Sequence, residues 1–194
     1  MIKPWNLPNL LSGFRLLSAP LLLVLAVSGE RGAFLWLLAL AFFTDAVDGM
    51  IARTIGQTTP LGARLDSWAD VAVYVATTAS LLILWPERVR EEWVPVIAVV
   101  VSFMAPAVIG LLRFGRFTSY HTILVKIAVV ATVIGLFAML LDVSVWPFRI
   151  AAALAVLAGL EELIITMILR EERSNITSLW QVLCEQRGAP GRSS

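Results

Sequence analysis

Six apolar runs, at about residues 10–28, 33–53, 62–85, 93–112, 123–141 and 148–169, are each long enough to cross a bilayer, because a spanning helix needs roughly 20 mostly apolar residues. No other pattern constrains the fold as tightly. In hydrocarbon every backbone N–H and C=O must find a partner within the protein, so runs of this length fold as helices. Composition agrees: 59% of the 194 residues are hydrophobic and 15% are charged, against about 45–50% and 25% in soluble domains. The expectation is an all-α integral membrane protein with six transmembrane helices. No solenoid-type period, low-complexity run or domain linker interrupts the chain. Residues 1–170 therefore read as one membrane domain and 171–194 as a cytoplasmic tail.

The first run has Lys3 ahead of it and a possible cleavage site in "LAVSG", as a signal peptide would. However, "NLPNLLSGFR" places Asn, Pro and Arg where an apolar core should begin, so it reads as a spanning helix. The net charge of +1 offers a nucleic acid no electrostatic footprint. Cys184 is the single cysteine, which excludes an intramolecular disulfide and a thiolate metal site.

Basic residues set the expected orientation. With the N-terminus inside, Arg53 and Arg64, then Arg113, Arg116 and Lys126, then Arg170, Arg173, Arg187 and Arg192 all face the cytoplasm. Trp85, Trp93 and Trp146 would mark the outer interface and Trp5 the inner one. In the tail, Ile176, Leu179, Trp180 and Leu183 recur at helical spacing and suit a membrane surface. The sequon at Asn175 would face the cytoplasm and reads as chance.

Against this apolar background, four of the five aspartates fall within "DAVDGMIARTIGQTTPLGARLDSWAD", residues 45–70. Asp45 and Asp48 are three apart, and Asp66 and Asp70 are four apart, so each pair lies on one face of its helix. Gly56, Pro60 and Gly62 suit a tight reversal between the helices. Two antiparallel helices would then present four carboxylates to a common space. Such a cluster needs compensating cations, from Arg53 and Arg64 in part and from divalent metal in greater part. Oxygen-only ligands favour a hard ion such as Mg²⁺ or Mn²⁺, and two ions sharing carboxylates are suited to phosphoryl transfer. A proton or ion pathway is the rival reading of intramembrane carboxylates. It does not explain the glycines, or why all four acids lie near one surface.

Asp48-Gly49-Met50-Ile51-Ala52-Arg53, eight residues, Gly62, three residues, Asp66, three residues and Asp70 resembles without gap the signature of the CDP-alcohol phosphatidyltransferases. Asp45 matches the extra aspartate that precedes it, and "NLPNLLSGFRLLSAP" is similar to the opening of bacterial phosphatidylglycerophosphate synthases. The resemblance implies transfer of a phosphatidyl group from CDP-diacylglycerol to an alcohol, with CMP leaving. It implies two ions, Mg²⁺ or Mn²⁺, on Asp45, Asp48, Asp66 and Asp70, with Asp45 and Asp66 bridging and Asp70 the general base. It further implies that Gly49, Gly62 and Arg53 meet the CDP moiety, with Thr59 and Asn9 as further contacts, and that the protein is a homodimer in a bacterial inner membrane. Ala52 serves either close nucleotide approach or helix crossing.

Depth along the helices is an independent guide. Asp70 lies near 12 Å into the third helix at 1.5 Å per residue. Glu161 and Glu162 lie at a similar depth on the sixth, and Arg15 on the first. Polar groups at one level suggest a water-filled cavity; alternatively, the glutamates pair with Arg15 or a neighbouring helix.

The acceptor is less defined. Arg113, Arg116 and Lys126 in "RFGRFTSYHTILVK" either hold a phosphorylated acceptor or anchor the inner face. His121 reads as a loop or interfacial residue. Relatives that use glycerol phosphate or make cardiolipin commonly read "DPxADK" where this chain reads "DSWADV", with Val71 in place of lysine. Glycerol 3-phosphate leads, with inositol phosphate, inositol, serine and phosphatidylglycerol as alternatives.

Overall fold

The computed structural model describes residues 7–55, 60–114, 122–168 and Trp180. Among these every element is helical: α1 (Leu7–Val27), α2 (Arg31–Ile55), α3 (Pro60–Leu84), α4 (Pro86–Glu91), α5 (Trp93–Phe114), α6 (Ile123–Leu140) and α7 (Trp146–Ile168). The six long helices coincide with the six apolar runs, and α4 is a short addition. Among the described residues, five windows are long and apolar enough to cross a membrane: Leu10–Val27, Leu65–Leu84, Trp93–Arg113, Ile123–Leu140 and Trp146–Ile168. The run expected at 33–53 is helical throughout, within α2. Of the tail, only the exposed Trp180 is described.

The chain forms two compact units, Met1–Glu91 and Glu92–Ser194. In the first, α1 packs against both α3 and α2, whereas α2 and α3 touch only sparsely. The stripe on α1 that makes this possible is Ser12, Arg15, Ser18, Ala19, Leu22 and Ala26, all buried at helical spacing. Small residues let helices approach closely in a membrane, where no hydrophobic drive separates protein from lipid. Ala69, Val73, Ala76, Ser80 and Leu84 line the buried face of α3, and Phe34, Leu38 and Ala41 that of α2.

α1 stops where Gly29 takes φ 75°, a conformation glycine adopts without penalty. The Glu30 N–H then donates to the Leu25 carbonyl at 3.0 Å and the Gly29 N–H to that of Ala26 at 3.1 Å, a Schellman closure. Nearby, Arg31 donates to the last α3 carbonyl, that of Leu84, at 2.6 Å. Its guanidinium also lies 5.4 Å from the Trp85 ring centroid. This ties α2 to α3 at the end remote from the aspartates.

In the second unit α7 packs against α5 and α6 through Ala151, Ala152, Ala155 and Ala158, each almost fully buried. Two glycines set the spacing. A Cβ on Gly135 would lie 2.7 Å from Phe148 Cα, and one on Gly159 would lie 2.7 Å from the Ser102 carbonyl oxygen. Two polar clamps secure α7. Arg149 donates to both oxygens of buried Glu92, at 2.6 and 2.8 Å, and Thr122 donates to Glu161 Oε2 at 2.9 Å. Thr122 also caps α6, accepting from the Val125 N–H at 3.2 Å, which satisfies one of the orphan donors of that helix start.

Outward faces are apolar, as with Leu17 in the first unit and Leu112 in the second, 74% and 81% exposed. Such faces are expected where lipid tails are the solvent.

Candidate metal centre

Helical periodicity brings the aspartates together, and α1 joins them. Asp45 on α2 and Asp66 and Asp70 on α3 each offer a carboxylate oxygen, and these oxygens lie within 4.8 Å of one another. The pair on α3 shares a face because four residues make about one turn. Asp48 follows Asp45 by three residues on α2; its side chain lies outside the described set.

At the centre of the three carboxylates is the guanidinium of Arg15. Its Nη1 donates to Asp45 Oδ1 and, at 2.7 Å, to Asp70 Oδ1, and its Nη2 donates to Asp66 Oδ1. Ser12, one turn earlier on α1, donates to Asp66 Oδ1 at 3.4 Å. The expected compensation by Arg53 and Arg64 falls on side chains outside the described residues. Arg15, which the sequence placed at the level of Asp70, is given to the aspartates, and Glu161 has Thr122 as a partner within its own unit. No local pattern signals this, since Arg15 lies 30 to 55 residues from its partners.

The arrangement has a closed side and an open side. The Arg15 side chain is 2% exposed, whereas those of Asp45, Asp66 and Asp70 are 46%, 42% and 53% exposed. A buried permanent charge is tolerable only when paired and hydrogen-bonded, and here three carboxylates do both. The donor set is oxygen only, within reach of a single cation, and open on one side, which fits a hard divalent ion.

The other sequence-derived candidates are distributed as follows. Gly62 is half-buried in the first turn of α3. Asn9 lies on α1, and Gly49 and Arg53 lie on α2, with surroundings outside the described residues. Thr59, Arg116 and His121 fall outside those residues altogether. In the second unit, Arg113 is exposed in the last turn of α5 and Lys126 in the first turn of α6, while Glu162 is buried on α7.

A helical integral membrane protein carrying a convergent carboxylate cluster is the class these features define. The particular family follows from comparison: the chain belongs to the CDP-alcohol phosphatidyltransferases, whose sequence profile matches residues 5–169. Among curated relatives, a cardiolipin synthase (CMP-forming) of Rattus norvegicus is 40% identical over 89 residues, covering 43% of this chain and 30% of the relative. A CDP-diacylglycerol–glycerol-3-phosphate 3-phosphatidyltransferase of Cereibacter sphaeroides is 33% identical over 114 residues, covering 57% and 50%. A second cardiolipin synthase (CMP-forming), from Streptomyces coelicolor, is 32% identical over 114 residues, covering 56% and 52%. The matched regions thus span about half or less of these relatives' lengths. No solved structure matches the chain.

Proposed function

We propose that this protein transfers a phosphatidyl group from CDP-diacylglycerol to an alcohol, glycerol 3-phosphate first among the acceptors, releasing CMP. The observation that carries this reading is the convergence of Asp45, Asp66 and Asp70 from two helices on one cation-sized space, in a chain of this family. Asp48 completes the set, and the four carboxylates would hold two ions, Mg²⁺ or Mn²⁺. Bound there, the ions would screen the diphosphate and stabilise the charge that develops on departing CMP. Without them four carboxylates would repel the substrate.

The chain's own residues supply the rest. Asp70, its side chain about half exposed, takes the proton from the acceptor hydroxyl. The freed oxygen bonds to the phosphorus that carries diacylglycerol, the P–O bond to CMP breaks, and CMP leaves with that electron pair. Arg53 grips the diphosphate through its planar fork. Gly49 and Gly62 let the nucleotide approach the backbone, and Asn9 and Thr59 line its pocket. Arg113, Arg116 and Lys126 receive the acceptor phosphate. The protein acts as a homodimer in a bacterial inner membrane, with its site toward the cytoplasm.

A second acceptor, phosphatidylglycerol, is favoured by two of the relatives being named cardiolipin synthase (CMP-forming).

The test is CMP release by purified protein given CDP-diacylglycerol, each ion in turn, and a panel of glycerol 3-phosphate, phosphatidylglycerol, inositol phosphate, inositol and serine. Release should require one acceptor and vanish on chelation. Asp70→Asn should lower it by about 10²–10⁴-fold, the usual worth of a general base, with the fold retained. Lys126→Ala should raise KM for the acceptor alone; an equal loss for the CDP-lipid would reject that contact. Absence of CMP release with every combination would reject the enzyme reading in favour of an ion or proton pathway.

A further inference from the structure

The guanidinium of Arg15 stands where a cation shared by Asp45 and Asp70 would stand. A single nitrogen, Nη1, bridges Oδ1 of both carboxylates, while Nη2 holds Oδ1 of Asp66. We propose that Arg15 and the divalent ions are alternative occupants of these oxygens, so that the guanidinium is the site's counter-ion until the ions displace it. This rests on the metal-centre reading given above.

Three considerations support exchange rather than coexistence. The first is space. Mg²⁺ demands oxygens at about 2.0–2.1 Å in a compact shell, and the three carboxylate oxygens are mutually within 4.8 Å. The volume they enclose is the volume the guanidinium fills. The second is charge. Arginine cannot lose its proton in a protein, so it cannot yield to an incoming ion by neutralising. Two cations on the same oxygens repel, and the long stem allows the guanidinium to withdraw. The third is access. The carboxylates are about half exposed while Arg15 reaches them from the buried flank of α1, so ions can arrive without first passing the arginine.

The arrangement has a use before ions bind. Carboxylates brought this close repel one another, and without a cation between them α2 and α3 would part at this level. Arg15 keeps them converged, at the cost of competing with the ions it prepares for. It is therefore a positioning residue, and removing it should tighten ion binding rather than weaken it.

The experiment is Mn²⁺ titration of the full-length protein in detergent, followed by electron paramagnetic resonance, for wild type, Arg15→Gln and Arg15→Lys. Arg15→Gln should bind Mn²⁺ at least tenfold more tightly than wild type. Arg15→Lys, which keeps the charge but cannot fork across three carboxylates, should fall between them and serves if the glutamine variant does not fold. Melting without ions should be lower for both variants, and the gap to wild type should close at saturating Mn²⁺, which takes over the counter-ion role. If wild type binds Mn²⁺ but the variants bind equally or more weakly, exchange is overturned and Arg15 is a fixed support behind the ions. A melting gap that persists at saturation overturns exchange in the same way. If wild type binds no Mn²⁺, the metal-centre reading fails, and the exchange with it.

Discussion

Gly135→Ala isolates the spacing that holds the second unit together. A methyl built on this glycine would lie 2.7 Å from Phe148 Cα, 2.8 Å from Phe148 N and 2.9 Å from Pro147 C. Carbon atoms in good contact stand about 3.5–4.0 Å apart, so α7 must withdraw by roughly 0.8 Å. All three atoms are backbone, so no rotamer change relieves the clash. The turn into α7 is short, with Val143 N–H bonded to the Ala138 carbonyl at 2.9 Å and Asp142 at φ 57°, so little slack is available. Overpacking of this kind costs about 1–3 kcal/mol. Alanine also gains up to about 1 kcal/mol over glycine through helix propensity, which would mask part of that cost. Gly13→Ala is the matched control, because nothing lies within 4 Å of a methyl there and the propensity gain is shared. The two variants should therefore differ by the steric cost alone, or about 2–12 °C in Tm at roughly 2–4 °C per kcal/mol for a chain of this size. Thermal melting in one detergent, followed by tryptophan fluorescence, reads the difference. A Gly135→Ala protein that melts with or above Gly13→Ala would refute the reasoning. Gly159→Ala should behave as Gly135→Ala does, since its methyl would meet the Ser102 carbonyl oxygen at 2.7 Å.

Thr122→Val removes both the cap of α6 and the donor to Glu161; loss of the cap alone costs about 1 kcal/mol, so Tm should fall by a few degrees, while Thr122→Ser should hold near wild type. Glu92→Gln keeps the shape of a 5% exposed side chain but removes the charge and one of the two acceptor oxygens that Arg149 grips. Its Tm should drop by calorimetry, and an unchanged value would mean that the clasp adds nothing to stability.

Much of the fold could be read from the chain because bilayer physics leaves few options. An apolar run of about 20 residues has to be a helix, and the long helices lie within a few residues of the runs at 10–28 and 148–169, at Leu7–Val27 and Trp146–Ile168. The pairing of Asp66 and Asp70 was legible for the same reason, since a spacing of four puts two residues on one face of a helix. What escaped the sequence is pairing between helices. Residues 45–70 suggested α2 and α3 meeting directly, yet α1 packs against both while they scarcely touch. The only trace is the small stripe of Ser12, Ser18 and Ala19, which also reads as an ordinary spanning helix. Arg15 could be read as a polar group at the level of Asp70, but not as the partner of three aspartates, because distance along the chain conceals proximity across helices. The partnership of Thr122 and Glu161, 39 residues apart, was hidden in the same way.

The clasp between Glu92 and Arg149 spans 57 residues of sequence, and this sets a clock on biogenesis. At synthesis rates of about 5–20 residues per second, the carboxylate is made roughly 3–11 s before its cation exists. During that interval α5 and α6 must insert with Glu92 solvated by water, lipid headgroups or the insertion machinery. The junction can close only once the chain through Arg149 has been delivered, so a ribosome stalled between these positions would leave a nascent chain whose α5 entrance is still unlatched.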